Sequence, residues 1–204
     1  MPRRTKDEAE QTRCAILDAA ERVFYKHGVA RTSLEQIARA ANVTRGAVYW
    51  HFKDKIEVCE AMMQRVFLPQ EDILKRLAER GGRTPLSDLR KACLDSLRLI
   101  AHDKHRWHVV AILTHRCEYV EEMTAMMERR RQCKDAMLAQ SVRLFEQAKK
   151  LGQLATRWTP RTAAIGLQAI MGGLIVIAME GRKNFRLEKE GIVCLGAFFR
   201  SLLP

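Results

Sequence analysis

The stretch Ala38-Arg39-Ala40-Ala41-Asn42-Val43-Thr44-Arg45-Gly46-Ala47-Val48-Tyr49-Trp50-His51-Phe52 decides the fold of this chain, because it has the grammar of a helix, a tight turn and a second short helix. Upstream of the turn, Leu34, Ile37, Ala38 and Ala41 fall at i, i+3, i+4 and i+7 and so share one helical face. Two overlapping capping boxes open that helix, Thr32 with Glu35 and Ser33 with Gln36. Each offers a hydroxyl to an orphan backbone N–H while the longer side chain reaches back. Asn42 falls where a short inter-helix turn needs left-handed backbone, a conformation that Asn tolerates. Thr44 is the expected N-cap of the second helix, in which Val48 and Phe52 face inward with Val43.

The remaining faces of that second helix carry Arg45, Ala47, Tyr49, Trp50 and His51, a set whose chemistry suits the major groove of double-stranded DNA. Arg45 supplies a cation for guanine acceptors or phosphate, Ala47 permits close approach, and the aromatic bodies suit thymine methyls. Arg45 and Ala47 are expected at base edges, and Tyr49, His51 and Lys55 at phosphates. The hydroxyl residues Thr32, Ser33 and Thr44 complete the candidate DNA-binding set. A competing reading is a plain amphipathic hairpin whose Tyr and Trp belong to the core.

With 204 residues the chain can bury a substantial core, as one domain or as a small domain joined to a larger one. Its formal net charge of +12 favours polyanionic partners, although the excess is spread over the whole sequence. Near the candidate reading helix Arg39, Arg45, Lys53 and Lys55 oppose only Asp54. The six cysteines, at 14, 59, 93, 117, 133 and 194, form no C-x-x-C pair and have no His at zinc-finger spacing. No metal site and no cofactor are expected, and the thiols read as small core hydrophobes. Cys117 lies close to His115, which leaves a redox role open. The amino terminus lacks an apolar h-region, so a reducing cytoplasm is expected.

Helical signals continue to the end, and no segment combines strand alternation with hairpin turn residues, so the chain is predicted to be all-α. A first helix over about Asp7 to His27 buries Ile16, Leu17, Ala20, Val23 and Phe24, with Gly28 as its left-handed C-terminal cap. Asp54 with Glu57 opens the next helix, which carries Met62, Met63, Val66 and Phe67 along one face. Pro69 predicts a kink or break near Leu68. Further helices are expected from Thr84-Pro85, over about Lys104 to His115, over about Glu121 to Leu151 with Gly152 as the stop, and from Thr159-Pro160. The segment Ala163 to Met179 is nearly continuously apolar but shorter than the ~20 residues of a spanning helix. It is expected to be buried on all sides, with no membrane involved. The last helix presents Leu187, Ile192, Leu195, Phe198, Phe199 and Leu202.

The run Thr44 to Lys55, preceded by Gly28 to Ala38, resembles the TetR family of transcriptional repressors, and within it the AcrR-type branch that governs multidrug efflux operons. Arg3-Arg4-Thr5-Lys6 and Glu10-Gln11-Thr12-Arg13 share the likeness. It returns at His115-Arg116-Cys117-Glu118-Tyr119 and at Gly173-Leu174-Ile175. Asn42 departs from the family, which often has Gly there. The resemblance implies a three-helix helix-turn-helix DNA-binding domain over residues 1–53 and a helical ligand-binding and dimerisation domain over 54–204, about nine helices in all. It implies a homodimer formed through the last two helices, with Gly166, Gly172 and Gly173 allowing close approach, on a partly palindromic operator. It also implies a small effector among the middle helices, where Met63, Val66, Phe67, Val110, Thr114, Cys117, Met137, Gln168, Met171 and Leu174 are the candidates. Nearly all are apolar, which suits a lipophilic or aromatic molecule.

The expected function is therefore a ligand-responsive repressor of a multidrug efflux operon. A TetR-like regulator of another pathway and a helical adaptor without DNA remain alternatives. An enzyme would draw on His27, His51, His102, His105, His108 and His115, but no nucleophile motif, phosphate loop or metal pair accompanies them.

Overall fold

In a computed structural model, which describes residues 6–116, 124–181 and 183–204, without the side chains of 67–70, 116 and 125, the chain is all-helical. The α-helices are α1 (Lys6–His27), α2 (Leu34–Ala40), α3 (Arg45–His51), α4 (Lys55–Arg80), α5 (Pro85–His102), α6 (Lys104–Ala111), α7 (Thr124–Lys150), α8 (Pro160–Met179) and α9 (Leu187–Ser201). The expected helix to His115 is α-helical only to Ala111 and continues as a π-helical segment, Ile112–Arg116. Residues 121–123, the expected start of the long helix, lie outside the described residues.

Two compact units form, Met1–Val66 with His105–Arg130 and Phe67–Lys104 with Arg131–Pro204. In the first, α1 packs on α2 and α3, and Ile16, Leu17, Ala20 and Phe24 are buried as are Ile37, Val48 and Phe52. Val23, expected inside, is half-buried, and Glu21 takes a buried place on α1 instead. Gly28 ends α1 at φ 81°, and its N–H donates to the Phe24 carbonyl at 2.8 Å. In the second unit α9 packs against α5 and α8. The segment after α7 staples the end of α9: the Ala155 N–H donates to the Leu202 carbonyl at 2.8 Å, and the Trp158 indole to the Ser201 carbonyl at 3.0 Å. These bonds satisfy terminal carbonyls that a helix cannot pair internally.

Three expectations need correction. Of the kink or break expected near Leu68, the break does not occur, since α4 is one helix from Lys55 to Arg80; proline costs one backbone donor, but helix on both sides keeps its own ladder. Within a single copy α8 is not buried on all sides. Ala163, Ala164, Leu167, Leu174 and Ala178 form a single buried stripe, whereas Ile165 and Val176 are exposed and nothing lies within 4 Å of a Cβ built on Gly172 or Gly173. Gly166 instead makes its close approach within the chain, where an added Cβ would sit 3.1 Å from Phe198 Cε2. Only some thiols are core hydrophobes: Cys59 and Cys93 are buried, Cys14 and Cys133 half-buried, and Cys194 exposed on α9.

Candidate nucleic-acid interface

α2 and α3 owe their geometry to local chemistry. Ser33 caps α2 by accepting from the Gln36 N–H at 3.3 Å, while the Gln36 side chain accepts from the Ser33 N–H at 2.8 Å. The second box expected there, Thr32 with Glu35, does not form. Thr32 is buried and its hydroxyl donates to the Gly28 carbonyl at 2.7 Å, closing the turn after α1. Asn42 turns the chain at φ 54° as the sequence predicts, and the Val43 N–H donates back to the Ala38 carbonyl at 3.0 Å. Thr44 caps α3 by accepting from the Ala47 N–H at 3.2 Å. Val48 and Phe52 are buried, which fixes the rotation of α3 and leaves its opposite faces outward.

That rotation exposes Arg45, Tyr49 at 48% and Trp50 at 73%, the largest solvent-exposed aromatic on the described surface. A plain hairpin would have buried both rings, so the competing reading fails at this point. Ala47 is half-buried beside them, and His51 meets the Trp50 ring edge-on at 4.5 Å. The Arg45 guanidinium lies 5.3 Å from the Tyr49 ring centroid, one helical turn on. Lys55 opens α4 half-buried, with Nζ donating to the Ala30 carbonyl at 3.2 Å. Asp54 precedes it and accepts from the N–H groups of Ile56 and Glu57, both at 2.9 Å. Ser33, Thr44, Arg45, Ala47, Tyr49, Trp50, His51 and Lys55 are each exposed or half-buried, among buried Leu34, Ile37, Ala38, Val48 and Phe52. Thr32 differs from them in being inside the turn.

Two carboxylates were missed. Glu35, on the first turn of α2, binds Arg45 at 2.7 Å, so Asp54 is not the sole acidic group near the reading helix. Glu21, 5% exposed, accepts from two imidazoles of α6 on its two oxygens, His105 Nδ1 at 2.8 Å and His108 Nδ1 at 2.7 Å. His108 also stacks on Tyr25 with centroids 4.2 Å apart. A charge on the apolar face of α1, with histidines more than eighty positions away, offered only the weak signal of a Glu where a core residue was due.

Of the candidate effector residues in the first unit, Met63, Val66 and Val110 are buried, and Thr114 donates its hydroxyl to the Val110 carbonyl at 2.7 Å. In the second unit Leu174 is buried, Met137 and Met171 are half-buried, and Gln168 is exposed with its amide donating to the Lys134 carbonyl at 3.3 Å. The Phe67 side chain and Cys117 lie outside what the structure describes. No group of three or more His, Cys, Asp or Glu among the described residues is arranged to hold a metal ion.

The chain is similar to known proteins along nearly its whole length. Residues 16–62 match the model for bacterial regulatory proteins of the tetR family, and residues 84–203 the model for the C-terminal region of MAATS-type transcriptional repressors. The HTH-type transcriptional repressor BepR of Brucella suis biovar 1 is 38% identical over 200 residues, 98% of this chain and 96% of BepR. The fold matches the SmeT–triclosan complex with a TM-score of 0.88 at 34% identity, over 95% of this chain and 92% of that one. It also matches NalD, the secondary repressor of the MexAB-OprM multidrug efflux pump in Pseudomonas aeruginosa, with a TM-score of 0.87 at 36% identity over 97% and 98% of the two chains. An exposed Arg-Tyr-Trp face on a capped helix-turn-helix, carried by an all-helical chain that both models and these relatives match, makes this protein a member of the TetR family of bacterial transcriptional regulators.

Proposed function

We propose that the protein is a ligand-responsive repressor of a multidrug efflux operon, binding a partly palindromic operator as a homodimer and leaving it when a small lipophilic or aromatic effector binds. The observation that carries the reading is the outward face of α3, with Arg45, Tyr49 and Trp50 exposed over the buried Val48 and Phe52. Residues 1–53 supply this DNA-binding part and 54–204 the effector and dimer contacts. Efflux control is supported by NalD, named as the repressor of an efflux pump, and an aromatic effector by SmeT, solved with triclosan. The candidates of each unit, Met63, Val66 and Val110 in the first and Met137, Met171 and Leu174 in the second, are apolar, which suits such a molecule.

The dimer is supported by apolar side chains that the chain itself leaves uncovered on its last two helices. Ile165 and Val176 on α8 and Ile192 and Val193 on α9 are exposed, beside the open Gly172 and Gly173. A second copy would remove this surface from water and present two α3 helices to successive major grooves. The protein then works from the cytoplasm, where the operator is.

The test is an electrophoretic shift with the DNA upstream of the protein's own gene, with and without triclosan as the probe, alongside a light-scattering mass. A dimer retarding that DNA in preference to unrelated DNA, and released by the probe or by a related aromatic compound, is the expected result. A monomer with full DNA affinity refutes the dimer, and equal affinity for unrelated DNA refutes the repressor.

A further inference from the structure

We propose that Glu35 is a positioning residue for Arg45, setting its base preference and restraining the reading helix on unrelated DNA. The inference rests on the DNA-binding reading above. Arg45 is held from two directions before any DNA arrives. Its Nη1 donates to Glu35 Oε1 at 2.7 Å, from a different helix ten positions away, and the Tyr49 ring lies 5.3 Å from its Cζ.

The ion pair is not there for stability. Its side chains are 63% and 47% exposed, and a solvated pair of this kind contributes little to folding. Its effect is on where the guanidinium rests. A free arginine side chain samples many rotamers, and each must be given up when a base is bound. Here the ring limits the plane and the carboxylate takes one donor of the fork, leaving the others for the two acceptors of a guanine edge. A carboxylate on a DNA-facing surface also repels phosphate, so it weakens binding wherever Arg45 finds no base to repay the approach. Both effects widen the gap between the right site and the wrong one.

The experiment measures affinity for the upstream operator, for its single-base-pair variants and for unrelated DNA across a salt series. It compares the full-length parent with Glu35→Gln, Glu35→Ala, Arg45→Ala and the Glu35→Ala/Arg45→Ala pair. Glu35→Gln keeps the size and removes the charge, and because the site is exposed both Glu35 variants should melt with the parent. The expected result is a loss of about 3–10-fold in discrimination at one base pair per half-site, part of what one bidentate arginine contact supplies. Affinity for unrelated DNA should rise, with a salt slope steeper by up to about one unit. In the Arg45→Ala background Glu35→Ala should leave base preference unchanged.

Glu35 variants that keep the parental preference at every base pair overturn the proposal. So does a preference change that persists without Arg45, since Glu35 would then be reading the base itself. A parent that fails to distinguish the operator from unrelated DNA overturns the repressor reading, a result separate from either of these.

Discussion

Removing the two histidines that hold Glu21 should have unequal costs, although their bonds are nearly equal in length. The distances are 2.8 Å for His105 and 2.7 Å for His108, so geometry alone predicts similar effects. Burial separates them, because the His105 side chain is 65% exposed and that of His108 13%. When His105 is cut to alanine, water reaches the carboxylate oxygen it leaves, and the loss is that of an exposed contact, about 0–1 kcal/mol. His108→Ala removes a buried bond to a carboxylate that is itself 5% exposed, together with the stacking on Tyr25. Leaving a buried carboxylate oxygen without its donor costs about 1–3 kcal/mol or somewhat more, and the lost ring stacking adds about 0.5–1.5 kcal/mol, so the total is about 2–4 kcal/mol. For a chain of this size that lowers the melting temperature by about 4–16 °C. Thermal melts of both variants, alone and on a Glu21→Gln background, would measure the difference. Equal losses, or a larger one for His105→Ala, would refute the argument from burial.

Other expectations follow from the same structure. In Gly191→Ala the new Cβ would overlap Leu97 Cδ1; overpacking of about 1–3 kcal/mol against about 1 kcal/mol of helix propensity gained leaves a net loss of up to about 2 kcal/mol in denaturant titration. On a Leu97→Ala background the same change should stabilise, and a stabilising effect in the parent would contradict the packing of α5 on α9. Burial pushes the Cys93 thiol up to about 12, so iodoacetamide should spare Cys93 in the native protein and label it only after unfolding, as a peptide map would reveal. Glu188 is held below its ordinary value of 4.5, first by its hydrogen bond from His102 and then by that from Arg98. A depressed carboxylate stabilises the fold fully above its unfolded value and loses that contribution as pH falls through the folded one. Glu188→Gln should therefore flatten the decline in stability below about pH 4.5, and an unchanged acid limb would argue against the pairing. Lys55→Ala should weaken operator and unrelated DNA alike and reduce the salt slope by about one unit; a shift in base preference would reassign Lys55 from phosphate to base.

Local rules carried the helix-turn-helix. Ser33 with Gln36, Asn42 and Thr44 act over three or four positions, and Val48 with Phe52 sets the rotation of α3, so each was legible in sequence and sits as expected. Contacts between distant residues were not. Any carboxylate brought near Arg45 would serve, and nothing in the linear order marks Glu35 over Asp54. Glu21 and His108 are brought together by packing between α1 and α6. The capping grammar also over-counted, since Thr32 and Ser33 fit the same rule and only one residue can be the N-cap of α2. For α8, uniform apolarity stated what the surface avoids without saying whether the same chain covers it, and one face proves open.

The first unit is assembled from two separate lengths of chain, Met1–Val66 and His105–Arg130, and the clasp on Glu21 joins them. Chimeric regulators are commonly imagined as a head exchanged at one junction. Here a graft cut at residue 53 or 66 would carry Glu21 and Tyr25 into the recipient and leave His105 and His108 behind, stranding a buried anion. A transplant of this head travels intact only as two fragments, or into a recipient that already offers imidazoles at the matching place on its sixth helix. On the proposed reading, substitutions on α3 would alter DNA preference one residue at a time, whereas moving the whole head would also have to preserve a contact outside the proposed DNA-binding residues.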